Sequence, residues 1–143
     1  MKLPDVNLLL YAYDSESPRQ AGAREWLEAT LSGSETVAFG WAVVVGFVRI
    51  ATNPAIFTRP LDVGDALDLI DSWLGQPAAT IVNPTDRHVS VLRDLLIPVG
   101  VAGNLASDAH LAALAIEHGA TLYSCDNDFS RFSGLRWVDP LHS

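Results

Sequence analysis

A parallel α/β sheet covered by helices on both faces is the fold class this chain predicts, and three observations predict it. Short apolar segments of strand length, "KLPDV", "TVAFG", "ATIVN", "TLYSCD" and "LRWVD", recur from one end of the chain to the other. Between the first four lie longer stretches whose apolar residues repeat at the three- and four-residue spacing of a helix face. The 143 residues, 49% of them hydrophobic, are enough to close one substantial core, and no low-complexity run or linker divides them. Alternation of this kind gives parallel strands, because each crossover has room for the helices that cover the sheet. Residues 1–143 are therefore expected to form a single domain.

The elements follow in order. After the first strand a helix is expected from about Asn7 to Tyr13. A second should start after Ser17, whose hydroxyl can cap it with Pro18 at its first position, and close on Gly33. A third, apolar helix runs from about Trp41 to Thr52 and stops before Asn53 and Pro54. The fourth starts at Asp62 and stops at Gly75. In it Val63, Ala66, Leu67, Ile70 and Leu74 recur at helical spacing, while Asp65, Asp68 and Asp71 fall elsewhere, as a solvated face requires. "TDRHVSVLRDLLIPVG" reads as a fifth helix ended by Pro98, and "SDAHLAALAIEHGA" as a sixth ended by Gly119.

Composition narrows the chemistry. Nine Lys and Arg against seventeen Asp and Glu give a net charge of −8, which argues against a coat that neutralises many phosphates with a basic face. An enzyme that holds nucleic acid at one spot through cations is compatible with that charge, because a bound divalent ion reverses the local sign of a carboxylate cluster. No apolar run reaches the roughly 18 residues of a membrane span. Pro4 and Asp5 interrupt the opening segment in a way no secretory leader does, so the cytoplasm is the expected compartment. Cys125 is the lone cysteine, so neither an intramolecular disulfide nor a thiolate zinc site is expected, and any metal would use oxygen or His. Lys2 is the sole lysine. A phosphate-binding GxxxxGK loop is absent, and an aspartyl-phosphate phosphatase would need a lysine well after the first strand. GxSxG, HExxH and GxGxxG are absent too. Cys125 reads as an inert core thiol, and His110 and His118, eight positions apart on one helix, as structural residues.

Several acids sit where packing alone does not want them. Asp5 interrupts the apolar opening "LPDVNLLLYAY", and a buried ionised carboxylate costs several kcal/mol, order of magnitude, unless paired, hydrogen-bonded or bound to metal. Leu111, Ala112 and Ala115 follow Asp108 at three, four and seven positions, which turns Asp108 towards the core side of its helix. A plain alternative is that Asp108 only favours the positive helix N-terminus after a capping Ser107. Asp126 and Asp128 follow the "TLYSC" strand directly. Parallel sheets bind ligands beyond the carboxyl ends of their strands, so Asp5 and Asp126 can converge across about 120 residues of sequence. An Asx turn or a cap for "DFSRF" is the alternative for both later acids. Convergent carboxylates without lysine suit a hard divalent cation, Mg²⁺ or Mn²⁺.

"PDVNLLLYAY" together with "SDAHLAALAIEHGATLYSCDNDFSRF" closely resembles the PIN-domain ribonucleases, in particular the VapC toxins of bacterial toxin–antitoxin pairs. The intervening "SPRQAGAREWLE" and "WAVVVGFVRIATNP" resemble the same group, so the likeness covers nearly the whole chain. It implies a PIN-like α/β/α sandwich and an acidic site of Asp5, Asp108 and Asp126 with Asp128 adjacent, holding one or two Mg²⁺ or Mn²⁺ ions. Asn7 matches the polar residue that accompanies the first acid. The implied activity is metal-assisted hydrolysis of RNA to a 5′-phosphate and a 3′-hydroxyl. The implied partners are a VapB-like antitoxin and a second copy of the chain, with no membrane. One position departs from the pattern. Members commonly carry a further acid on the third helix, where this chain has Gly46, which implies either a weakened site with binding as its role or a helix contact that needs a small residue. Arg49, three residues on, is read as an RNA or partner contact or as a solvated side chain.

Overall fold

The computed structural model describes residues 1–142. Five strands form: β1 (Lys2–Pro4), β2 (Val37–Gly40), β3 (Ala79–Val82), β4 (Thr121–Tyr123) and β5 (Trp137–Val138). They make one sheet in the order β3-β2-β1-β4-β5, with every pairing parallel. The helices are α1 (Val6–Tyr13), α2 (Gln20–Leu31), α3 (Trp41–Ala51), α4 (Val63–Leu74), α5 (His88–Leu96) and α6 (Leu105–Glu117), with a 3₁₀ turn at Asn127–Arg131. All five expected strands and all six expected helices are present. α1 packs on α2 and α3, α3 on α4, and α5 on α6. Right-handed crossovers put the first four helices on one face and the last two on the other.

The chain steps outward from β1 to β2 and β3, then returns through α5 and α6 to place β4 on the other side of β1. Loops leaving the carboxyl ends of β1 and β4 therefore diverge, and a crevice opens between them. Pro4 pairs with Tyr123 at that end, so Asp5 and Ser124 are the first residues beyond the ladder on either side.

Helix starts differ from the sequence expectation for local reasons. Ser17 Oγ accepts from the Arg19 amide at 3.1 Å within a turn that precedes α2, which delays the helix to Gln20. Thr85 Oγ1 accepts from the Arg87 amide at 3.2 Å, a turn of the same type, and α5 begins only at His88. α6 starts at Leu105, so Ser107 lies inside it rather than capping it. Gly119 ends α6 as expected, with φ +65° and its amide on the Ile116 carbonyl at 3.2 Å.

The apolar face of α4 is rotated from its expected position. Ala66, Ile70 and Trp73 are buried, whereas Val63 and Leu67 are exposed. Trp73 draws the helix round, because its ring stacks on Phe39 at 6.2 Å and meets Phe47 edge-on at 4.8 Å, with Tyr13 at 5.9 Å. This aromatic cluster ties α1, α3 and α4 to β2. Phe47→Ala removes its fully buried centre and is expected to lower unfolding free energy by about 3–5 kcal/mol, read as a shift in the urea midpoint.

Candidate active site

Asp5 leaves β1 with its amide on the Tyr123 carbonyl at 2.9 Å. Its Oδ1 accepts from the Val6 amide at 2.7 Å and so caps α1, and its Oδ2 accepts from Ser124 Oγ at 2.8 Å. Only 9% of the residue is exposed. Burial pushes its carboxyl pKa upward and the Asp126 charge adds to the rise, against the opposing hydrogen bonds of Ser124 and Val6.

Ser124 is fully buried and joins the two strand ends. Its one hydroxyl proton goes to Asp5, and its oxygen accepts from Asn7 Nδ2 at 3.1 Å and from the Asp126 amide at 3.0 Å. Asn7 Oδ1 is buried and has no hydrogen-bond partner among the described residues, an expensive state for a carbonyl oxygen unless a ligand meets it.

Asp126 performs the turn role open to it in the sequence: Oδ1 accepts from the Asp128 amide at 2.9 Å and caps the 3₁₀ turn. One oxygen is thus committed to the backbone, while a carboxylate has capacity to spare. Among the described residues the Asp128 carboxylate makes only a long, exposed pair with Arg131 Nε at 3.9 Å. Asp108 occupies the first turn of α6, half-buried. Asp108, Asp126 and Asp128 each offer an oxygen within 4.8 Å of the others. Asp5 is outside that group of three, its two oxygens occupied by Val6 and Ser124, yet it and Asp108 are near enough for the Asp5 charge to raise the Asp108 pKa.

The Asp108 carboxyl is pushed up to about 6, by burial first and then by the charges of Asp126, Asp5 and Asp128. A carboxyl raised on folding holds its proton better folded than unfolded. The resulting penalty is complete above the folded value and is relieved as pH falls through about 6 towards the ordinary 3.8. Asp108→Asn should therefore stabilise chelated protein at pH 8, by about 1 kcal/mol once solvent screening of a half-exposed group is allowed for. The gain should shrink towards pH 4; thermal melts at both values check it, and a pH-independent gain would contradict the assignment.

A cavity of about 170 Å³ adjoins the acids, with Asp5, Gly46, Arg49, Asp108 and His110 in its wall. A Cβ on Gly46 would meet only Val6 Cγ2, at 3.7 Å, an ordinary contact. Position 46 therefore has room for a Cβ, which is compatible with the expected helix contact by a small residue. Another cleft, about 520 Å³ along α2 beside Trp26 and Leu141, has Arg19 and Glu25 as its charged lining residues and lacks convergent acids.

Residues the sequence reading passed over complete the surroundings. Ser124 carried no signal beyond its place after a strand. His88 Nδ1 contacts Glu117 Oε2 at 2.5 Å, His88 Nε2 lies 3.0 Å from His110 Nδ1, and Thr85 donates to Glu117 Oε1 from its amide at 2.9 Å and from its hydroxyl at 2.5 Å. His110 thus belongs to a chain of bonds that ends at the cavity. His118 bonds the Asn83 carbonyl at 2.7 Å, a structural contact. Burial first, then Asp139, pushes the Cys125 thiol up to about 11, which agrees with an inert thiol. Asp65, Asp68 and Asp71 are exposed.

The family model described as PIN domain matches residues 2–135. The chain is 46% identical over 140 residues to Ribonuclease VapC37 of Mycobacterium tuberculosis, covering 98% of this chain and 97% of that protein. It is 38% identical over 141 residues to Ribonuclease VapC33 of the same species, covering 99% of each. Among solved structures, VapBC2 from Rickettsia felis bound to a promoter DNA fragment superposes with a TM-score of 0.69 at 18% identity, covering 96% of both chains. FitAcB from Neisseria gonorrhoeae superposes with a TM-score of 0.64 at 18% identity, covering 100% of both.

Proposed function

This chain belongs to the PIN-domain family and within it to the VapC ribonucleases, and on that premise we propose that it is a metal-dependent endoribonuclease, the toxin of a toxin–antitoxin pair. One observation carries the reading: Asp108, Asp126 and Asp128 approach one another within 4.8 Å, near a buried Asp5, in a chain of net charge −8. Carboxylates this close repel unless protons or a cation offset them.

The donor set fits a hard divalent cation, Mg²⁺ or Mn²⁺, being all oxygen with neither thiolate nor imidazole among it. Asp108, Asp126 and Asp128 would hold the ion, Asp5 would add its charge, and Asn7 Oδ1 offers a further oxygen to a ligand or water. Bound there, such an ion lowers the pKa of a water and offsets the negative charge that builds on a phosphodiester under attack. Ser124 holds Asp5, Asn7 and Asp126 in register, so these three groups are positioned before substrate arrives. Asp108 must give up its proton for the ion, so apparent ion affinity should fall as pH drops through about 6.

Among the described residues no helix is long and apolar enough to cross a membrane. The reading places the protein in the cytoplasm, where RNA is the substrate and single-stranded shape the means of choosing it. Its partner is a VapB-like antitoxin, in keeping with structural neighbours that are toxin–antitoxin complexes. An antitoxin Arg or Lys entering the acidic cavity would replace the cation and silence the site. Exposed Trp41 and Val45, one turn apart on α3, are the kind of apolar surface that pairing with a second copy or with antitoxin would cover.

The test is incubation of total cellular RNA with antitoxin-free protein in Mg²⁺, in Mn²⁺ and in chelator, with new 5′ ends mapped. Discrete cuts that need metal are expected, and their absence in both metals would sink the nuclease. Gly46 favours a second reading, a catalytically impaired module that binds antitoxin or RNA. The two part at Gly46→Glu, which has room for its Cβ. An active enzyme should gain nothing from the added acid, whereas a rise of about tenfold or more, roughly 1.4 kcal/mol of barrier, would mean the natural chain is impaired.

A further inference from the structure

Gly46 opens a notch in the cavity where Arg49 and His110 stand beside Asp5 and Asp108, and the arginine and the imidazole together suit a piece of RNA backbone. Arg49 lines the same cavity from the next turn of α3, is exposed, and has no carboxylate within ion-pair distance among the described residues. An arginine beside a cluster of acids, yet paired with none of them, is available to an incoming anion.

His110 lines the cavity from α6. Its Nδ1 is tied to His88 Nε2 at 3.0 Å, and His88 in turn to Glu117, whose other oxygen is held by Thr85. That chain fixes the ring plane whichever way its protons run. Nε2 of His110 has no partner among the described residues and is not among the buried unpartnered atoms, so solvent reaches it. A ribose 2′-hydroxyl both donates and accepts, and therefore satisfies Nε2 in either proton order. Position 46 adds to the volume: it carries no side chain, and the nearest atom a Cβ there would meet is Val6 Cγ2 at 3.7 Å.

We propose that this notch binds one ribose-phosphate unit of the RNA strand beside the acidic centre, with the phosphate on Arg49 and the 2′-hydroxyl on His110. The assignment rests on the nuclease reading above and adds the residues that hold the strand and distinguish RNA from DNA. It also gives Gly46 a use, as the opening that admits the sugar.

The notch is built without the cation, so binding is measured in chelator, by fluorescence anisotropy of a labelled single-stranded RNA decamer and the DNA decamer of the same sequence. Wild type should bind RNA more tightly than DNA. Arg49→Gln should weaken both about fivefold and reduce the slope of log affinity on log salt by about 0.7, the share of one phosphate contact, while Arg49→Lys keeps the slope. His110→Ala should weaken RNA alone and bring it to the level of DNA. Should that variant fail to fold, Gly46→Leu fills the notch from a position whose Cβ makes only an ordinary contact and should weaken RNA binding as well. An unchanged salt slope in Arg49→Gln, equal losses for RNA and DNA in His110→Ala, or full RNA affinity in Gly46→Leu would overturn the proposal. Wild type that cuts RNA in Mg²⁺ but binds none in chelator overturns the notch alone, whereas wild type that neither cuts nor binds overturns the nuclease reading with it.

Discussion

Asp126→Asn is expected to lower Mg²⁺-supported RNA cleavage by about 10²- to 10³-fold while leaving the fold intact. The substitution separates the turn cap that Asp126 makes from the ligand role proposed for it. An asparagine Oδ1 can still accept from the Asp128 amide, so the cap on the 3₁₀ turn survives. What disappears is a negative charge in a cluster of four acids, and with it one oxygen anion for the cation. Removing that charge also relieves Asp5 and Asp108, both of which it pushes upward. The variant should therefore melt no lower than wild type in chelator and be less stabilised by added Mg²⁺. Side-by-side melts with and without Mg²⁺, together with the cleavage assay, read all three consequences. Wild-type cleavage from Asp126→Asn would remove this residue from the site.

Ser124→Ala should harm both stability and activity, although serine reacts with nothing here. Its hydroxyl is the donor to Asp5 Oδ2 and the acceptor for Asn7 Nδ2 and the Asp126 amide, and it is wholly buried. Alanine leaves a buried carboxylate oxygen and two buried or half-buried donors without partners. Each such loss costs about 1–3 kcal/mol where water cannot enter, so a net loss of about 2–4 kcal/mol is expected after local relaxation. Cleavage should drop about 10- to 100-fold, the usual effect of removing a group that only orients ligands. Ser124→Thr keeps the hydroxyl but adds a methyl group in a fully packed place. It should recover part of the activity and less of the stability, which urea titrations and cleavage rates on the same samples would separate.

The acids and the elements that carry them were legible because each obeys a local rule. Strand-length apolar runs, the three-and-four spacing of α6 and the glycine at 119 predict β1, β4 and α6 where they are found, within a few residues. Asp5, Asp108, Asp126 and Asp128 stood out because charge at a strand end or on a core-facing helix position needs compensation. Helix starts were less legible. Ser17 and Thr85 cap turns rather than helices, and the serine or threonine signal is the same in both cases. The inward face of α4 depended on which aromatic ring fills the space beside Phe39 and Phe47, a matter of shape that periodicity does not encode.

By itself, then, the sequence determined the alternation that makes a parallel sheet, the order of its helices, the acids that needed explaining, and a family likeness along nearly the whole chain. Only the tertiary structure decided how those acids are held. Ser124 reaches residues 117 and 119 positions away, and the bonds from His110 to His88 and from His88 to Glu117 span 22 and 29 positions. Only the folded chain, too, left the space at Gly46 open rather than filled by a neighbour. The physical reason is common to all three. A hydrogen bond or an empty volume between distant segments depends on where the sheet places two strand ends and a helix, and no local pattern of residue types records that distance.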